Sequence, residues 1–397
     1  MRVVHDQSIG HSLLLTPFTS MRGSFKIFTW LGIPVFLHWT FGLIFIYILW
    51  HAQNEGLGTI ETVWLTGLFM SLFLCVLLHE YGHAIAARRY DVKTRDIVLM
   101  PIGGVARLER MPEKPFQEFV VAIAGPAVNV VIAFLLFLGI GLLSEGSMID
   151  MFSAAVRQDI GEEVVTESGY FMSPVLHFAI KLAFTNVALV VFNMIPAFPM
   201  DGGRVFRALL SMWLGRPRAT KIAAGLGQVI ALMLIAAGLW SSDFMLSILG
   251  IFVIYAARAE NDNVQTEDLL SRYKARDVLR PQFTRLRSND WMLTAIETLR
   301  HGLERHFLIF DVNDRLVGML EEDDIVRAMR KPDVTSEITQ YAQGAEVVSL
   351  DDSLVKVNYL IRQRGFGVVG VADESGALMG VIDEAGLVYF VRMEERK

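Results

Sequence analysis

Six times between residues 29 and 257 the sequence returns to an apolar stretch close to the length needed to cross a bilayer, and no other feature narrows the accessible folds as far. The stretches are 29–50, 62–87, 117–143, 174–195, 220–240 and a shorter one at 243–257. Lipid offers no hydrogen-bond partner to the backbone, so each stretch is expected to be a helix that pairs its own N–H and C=O groups. The chain is 53% hydrophobic and 20% charged, but nearly all of the apolar excess lies before about residue 257, after which ordinary globular patterning returns. The expected fold is a polytopic α-helical membrane protein with six transmembrane helices, followed by a water-exposed α/β part.

Charge in the loops sets an expected orientation, because Lys and Arg next to helix ends stay on the cytoplasmic side. Arg88, Arg89, Lys93, Arg95, Arg107, Arg110 and Lys114 fall between the second and third stretches, and Arg204, Arg207, Arg216, Arg218 and Lys221 between the fourth and fifth. The loops 51–61, 144–173 and 241–242 hold only Arg157, and the long one is acidic. Both termini are therefore expected in the cytoplasm of a cell-membrane protein that crosses the bilayer several times. Residues 1–28 read as an N-terminal extension. Its run Leu13–Leu15, interrupted by Thr16 and Pro17, is too short for a signal-peptide core, and residues 1–20 are expected to be dispensable.

A formal charge of −6, with no Lys/Arg stripe interleaved with aromatics, argues against a nucleic-acid partner. The single cysteine, Cys75, excludes an internal disulfide and a CxxC metal cage.

Beyond a polar stretch at 258–274, expected to be a linker, the chain repeats itself. Asp290 and Asp352, Asp311 and Asp373, and Gly318 and Gly380 are each separated by 62 positions (352 − 290, 373 − 311, 380 − 318) without a gap. Each unit, 275–332 and 333–397, is expected to run strand, helix, strand, turn, strand.

The chemistry gathers near the cytoplasmic end of the second stretch, in LLHEYGHAIAARR. His79 and His83 are one helical turn apart on one face, so both imidazoles can reach a single tetrahedral zinc, and Glu80 stands beside them as a base. Such groups are costly in an apolar helix unless they face a polar cavity or a metal. Zinc at a catalytic site takes three protein ligands and leaves one position open. Asp201, in NMIPAFPMDGGRVFRALL, matches the depth of the two histidines. Pro196 and Pro199 are expected to break the helix before it, and Gly202-Gly203 to allow close backbone approach. Read alone, Asp201 is equally a helix cap in a Pro/Gly turn. The segment 96–108, with Pro101, Gly103 and Gly104, is too short to span and is either a bent hairpin re-entering the membrane or an amphipathic surface loop.

HEYGH at 79–83, GPAVN at 125–129 and NMIPAFPMDGGR at 193–204 together resemble the site-2 protease family of intramembrane zinc proteases, in the branch with a cytoplasmic pair of cystathionine-beta-synthase (CBS) domains. The resemblance implies one zinc per chain on His79, His83 and Asp201, Glu80 as general base and acid, and Asn129 at the substrate or the oxyanion. The alternative for Asn129 is an interhelical hydrogen bond. It also implies that Gly103-Gly104 lie in a hairpin beside the site, whose edge can hold an unwound strand of a membrane-protein substrate in regulated intramembrane proteolysis. The CBS pair is expected to regulate the enzyme and to form a homodimer. Adenylate binding is not expected, because Glu321 and Asp324, and Asp383 and Gly386, stand where a hydroxyl and an aspartate contact the nucleotide in CBS domains. Two other readings stay open: a CBS-gated transporter or channel, which has no need of stoichiometric zinc, and an idle scaffold, which has no need of Glu80.

Overall fold

The computed structural model describes residues 23–101, 103–109, 111–112, 114–143, 174–330 and 336–396. The expected extension 1–20 and the acidic loop 144–173 lie outside them. Two units divide between Asn261 and Asp262.

The first unit opens with a hairpin, β1 (Ser24–Trp30) and β2 (Ile33–His38), closed by Leu31 and Gly32 at φ 51° and 79°. Positive φ at both central residues matches the twist of the flanking strands. The Tyr81 hydroxyl donates to Trp30 O at 3.2 Å and Arg88 Nη2 to Leu31 O at 2.5 Å, fastening the hairpin to the helix that carries HEYGH. The chain then enters α1 (Gly42–Asn54) and α2 (Thr59–Arg88). A second hairpin follows, β3 (Thr94–Met100) and β4 (Gly103–Leu108). The sheet order is β1-β2-β3-β4, with β2 and β3 parallel. It packs through Ile33, Val35, Ile97 and Leu99 on Phe73, Leu77 and Tyr81 of α2. Among the described residues the chain continues through α3 (Pro115–Leu143), α4 (Pro174–Asn193), α5 (Asp201–Leu214), α6 (Arg216–Trp240) and α7 (Phe244–Ser271).

Among the described residues, five helices are long and apolar enough to cross a membrane: α2, α3, α4, α6 and α7. The expected first span, 29–50, is corrected. Its apolar residues are divided between the hairpin and the 13-residue α1, because Ile33–His38 pair with β1 and β3 and satisfy their backbone in a sheet instead of a helix. The expected linker at 258–274 is helical as far as Ser271, since no Gly or Pro stands between Ile251 and Ser271 to stop α7.

In the second unit the 62-residue repeat is a repeat of elements. The first copy is β5 (Arg285–Arg287), α8 (Met292–His301), β6 (His306–Phe310), β7 (Leu316–Glu321) and α9 (Glu322–Met329). The second is β8 (Val347–Ser349), α10 (Leu354–Arg362), β9 (Val368–Ala372), β10 (Leu378–Asp383) and α11 (Glu384–Glu394). Leu308, Phe310 and Met319 pack on Val368 and Val381 where the copies meet. The repeated residues have matching tasks. Asp311 and Asp373 close the β-turns by accepting backbone N–H groups on Oδ1, and Asp290 and Asp352 do the same for Arg287 N and Ser349 N. Gly318 and Gly380 make room for the segment that leads into the opposite copy. A Cβ would lie 2.8 Å from Gln343 O at Gly318 and 2.6 Å from Arg280 O at Gly380, where Met319 bridges Gln343 and Val381 bridges Arg280. Each copy therefore completes its sheet with chain that precedes the other.

Candidate metal centre

His79 and His83 lie near the C-terminal end of α2, and Asp201 opens α5 after a turn that leaves α4. The three side chains converge. Asp201 Oδ2 is 3.0 Å from His79 Nε2 and 3.1 Å from His83 Nε2, and the two Nε2 atoms are 3.1 Å apart. All three residues are buried.

The hydrogen bonds around them settle which nitrogen carries a proton. Leu182 O can only accept, so the Asn186 amide nitrogen donates to it at 2.8 Å and Asn186 Oδ1 is an acceptor. Asn129 Nδ2 therefore donates to Asn186 Oδ1 at 2.8 Å, and Asn129 Oδ1 accepts from His79 Nδ1 at 2.5 Å. His83 Nδ1 likewise donates to Val121 O at 2.7 Å. With both Nδ1 atoms protonated, the neutral form of each imidazole would present a bare Nε2 lone pair to a carboxylate that, when ionised, can only accept. Three acceptors face one another without a hydrogen between them, an arrangement that a cation resolves. Two imidazole nitrogens and one carboxylate oxygen, with Asn129 Oδ1 and Val121 O accepting from the far nitrogens of the rings, are a donor set that fits zinc.

Glycines make the convergence sterically feasible. A Cβ on Gly125 would lie 2.6 Å from His79 Nε2 and closer still to His83 Nε2. A Cβ on Gly82 would lie 2.7 Å from Ala124 O, so α3 can approach α2 only at a glycine. At Gly202 and Gly203 a Cβ would strike the backbone of Met194 and Ala197, the turn on which the first turn of α5 sits. Glu80 is held from β4. Its Oε2 accepts from Ala106 N of β4 at 2.8 Å, and β4 passes close because Gly104 is bare there: a Cβ would lie 2.9 Å from Glu80 Cγ. Gly103, at φ +135°, supplies a backbone conformation that L side chains avoid and faces open space. The hairpin is braced by Arg107, whose Nε and Nη2 reach the two oxygens of buried Asp96 at 2.5 Å.

A family model described as peptidase family M50 matches residues 67–237, and a CBS domain model matches 275–331. A zinc metalloprotease of Methanocaldococcus jannaschii is 31% identical over 95% of this chain and 98% of its own. The chain belongs to the site-2 protease family. Stage IV sporulation protein FB of Bacillus subtilis is 23% identical over 65% of this chain and 82% of its own. The solved site-2 protease from Methanocaldococcus jannaschii is 34% identical, covers 60% of this chain and 95% of that one, and superposes with a TM-score of 0.42. This site-2 protease is a zinc metalloprotease of the membrane, with a CBS region beside its peptidase part.

Of the residues expected from the sequence, the structure brings together His79, His83, Glu80, Asp201 and Asn129, with Gly104 against Glu80. Asn129 is fully buried, with Oδ1 on His79 and Nδ2 on Asn186, which is the interhelical alternative. Sequence reasoning missed Asn186, Gly125 and Ala106. A lone amide in the apolar run of α4 was the signal for Asn186. Nothing local marks a glycine or a backbone N–H as part of a site. Glu321 and Asp324 cap the start of α9, Glu321 Oε1 also accepts from Gly367 N at 3.1 Å, and Asp383 accepts from Gly386 N at 2.8 Å.

Proposed function

We propose that this protein hydrolyses peptide bonds in transmembrane segments of other membrane proteins, near the cytoplasmic face, with His79, His83 and Asp201 as zinc ligands and Glu80 as the base. The convergence of three lone-pair donors beside a carboxylate held by Ala106 N carries this reading. Bound there, zinc supplies Lewis acidity toward water and toward the scissile carbonyl. Glu80 takes a proton from the attacking water and passes it to the departing amine nitrogen. The Ala106 N–H keeps that carboxylate aimed while it is ionised, and Asn129 with Asn186 keeps His79 in the tautomer that offers Nε2.

Strand β4 lies at the sheet edge next to Glu80, and an unwound substrate segment can pair with it as an added strand. A helical peptide bond is shielded, so cleavage falls where the substrate helix contains weak helix formers. Both termini and the CBS pair are assigned to the cytoplasm. In support, β2 runs parallel to β3, which follows the basic end of α2, and α1 then runs antiparallel to α2, with Phe41 on Phe73 and Tyr47 on Phe69. Strand and short helix together thus make the first crossing. The CBS pair, in residues 275–332 and 333–397, regulates cleavage and joins two copies of the chain in a homodimer. A Glu80→Gln variant in native membranes tests the whole reading. It should retain zinc, cut nothing and co-purify with a single-span membrane protein that wild type converts to fragments ending near the cytoplasmic face. Fragments ending at the opposite face would contradict it.

A further inference from the structure

Arg207 is fully buried, and the site described so far does not use it. It lies on α5, less than two turns beyond Asp201, and its guanidinium meets three other parts of the first unit. Glu118 Oε1 of α3 is 2.7 Å from Nε and 2.5 Å from Nη2. Glu260 Oε1 of α7 takes Nη1, and the Phe198 ring, in the turn that delivers Asp201, lies 5.0 Å from Cζ. Glu118 is itself buried, while the Glu260 side chain is 30% exposed.

Removing three charges from water costs about as much as their attraction returns, so the cluster is poorly explained as a source of stability. What it supplies is direction. A planar guanidinium has fixed donor vectors and holds its partners in one geometry. Two of those partners, Glu118 and Phe198, stand on the helix and the turn that position the metal site. Glu118, Val121, Gly125 and Asn129 follow one another at helical spacing along α3. In that order they meet Arg207, accept from His83, make room for both imidazoles and accept from His79. Arg207 therefore ties the helix carrying Asp201 to the helix that orients both histidines. The third arm differs, since Glu260 stands on α7, which continues without a break to Ser271 in the second unit.

We propose that Arg207 is a positioning residue for Asp201, clamped by Glu118 and adjusted by Glu260, so that the charge on Glu260 sets the geometry of the metal ligands. The inference rests on the metal site proposed above. The test uses the full-length chain in detergent, loaded with zinc or with cobalt. Wild type should hold one metal ion that Asp201→Ala loses. Without that, the metal-site reading itself fails, and this inference with it. Given that result, Glu260→Gln, which keeps the side-chain volume at a partly exposed position, should speed zinc loss to a chelator about tenfold. It should also shift the visible spectrum of the cobalt-loaded protein and lower kcat with KM unchanged. Glu260→Asp, which keeps the charge, should recover most of each effect, and Arg207→Lys, which loses the fork, should reproduce them. Metal release and a cobalt spectrum equal to wild type in Glu260→Gln would overturn the proposal while leaving the metal site intact. So would a lowered Tm with an unchanged spectrum, which marks a purely structural residue.

Discussion

Replacing Gly125 by alanine is a substitution that adds one methyl group and ought to dismantle the metal site. The new Cβ would stand 2.6 Å from His79 Nε2, where ordinary contact begins at 3.4 Å, so something must move by at least about 0.8 Å (3.4 − 2.6), and by more on the His83 side. If the imidazoles yield, the displacement is about four times the roughly 0.2 Å tolerance of a zinc–ligand distance. If α3 yields instead, the bonds from His83 to Val121 O and from His79 to Asn129 lengthen from 2.7 and 2.5 Å to about 3.5 and 3.3 Å, and both tautomer locks are lost. Either path should lower zinc affinity on the order of 100-fold, and misplacement near 1 Å should lower kcat/KM by a similar factor. The assay is zinc per chain after a chelator wash, alongside cleavage of a membrane-embedded substrate. Gly139→Ala on the same helix is the control, because a Cβ there meets nothing within 4 Å; it should be neutral or slightly stabilising. Stoichiometric zinc and near-normal cleavage in Gly125→Ala would refute the reasoning.

Asn129→Ala should release His79 Nδ1 and weaken zinc binding by about 10–100-fold while leaving the helices folded, as measured by zinc competition with a fluorescent chelator. In the second unit, Gly318→Ala and Gly380→Ala should each cost about 1–3 kcal/mol, because each new Cβ meets backbone rather than a flexible side chain; thermal unfolding of that unit in the full chain reads this directly. The same unit should lose stability in acid. Burial raises the Asp352 carboxyl, but Lys356 and the Ser349 N–H outweigh it, and Ser375 and the turn N–H groups lower Asp373. Both carboxyls therefore contribute above the ordinary aspartate pKa near 4, and the contribution disappears as pH falls through the lowered folded values. A double Asp352→Asn, Asp373→Asn variant should flatten that acid limb in a pH series of unfolding midpoints.

What the sequence determined alone is whatever follows from spacing along one element. Two histidines four apart on a helix share a face in any fold, so the His79–His83 pair and the adjacent Glu80 were legible from the residues. The 62-residue offset was legible too, since equal turn and glycine chemistry at equal spacing builds equal units. Asp201 was readable as a candidate third ligand from its depth between a basic loop and an apolar run, a coarser argument, and the structure places that carboxylate against both imidazoles. Hydropathy, by contrast, read the first stretch as one helix. It counts apolar residues without regard to whether they pair in a sheet, as Ile33–His38 do, and it ended α7 at the first charges although nothing there breaks a helix.

Tertiary packing alone decided the rest, because it depends on distances between segments that no local pattern encodes. Gly125 belongs to the site only because α3 crosses α2 at that residue, and Ala106 because β4 turns one backbone N–H toward Glu80. Arg207 looked like one more basic residue in a cytoplasmic loop, and its burial between Glu118 and Glu260 emerges only when three helices meet. The tautomer of His79 likewise hangs on a chain of hydrogen bonds that ends at the carbonyl of Leu182, more than a hundred residues away in sequence, and that of His83 on the carbonyl of Val121 in α3.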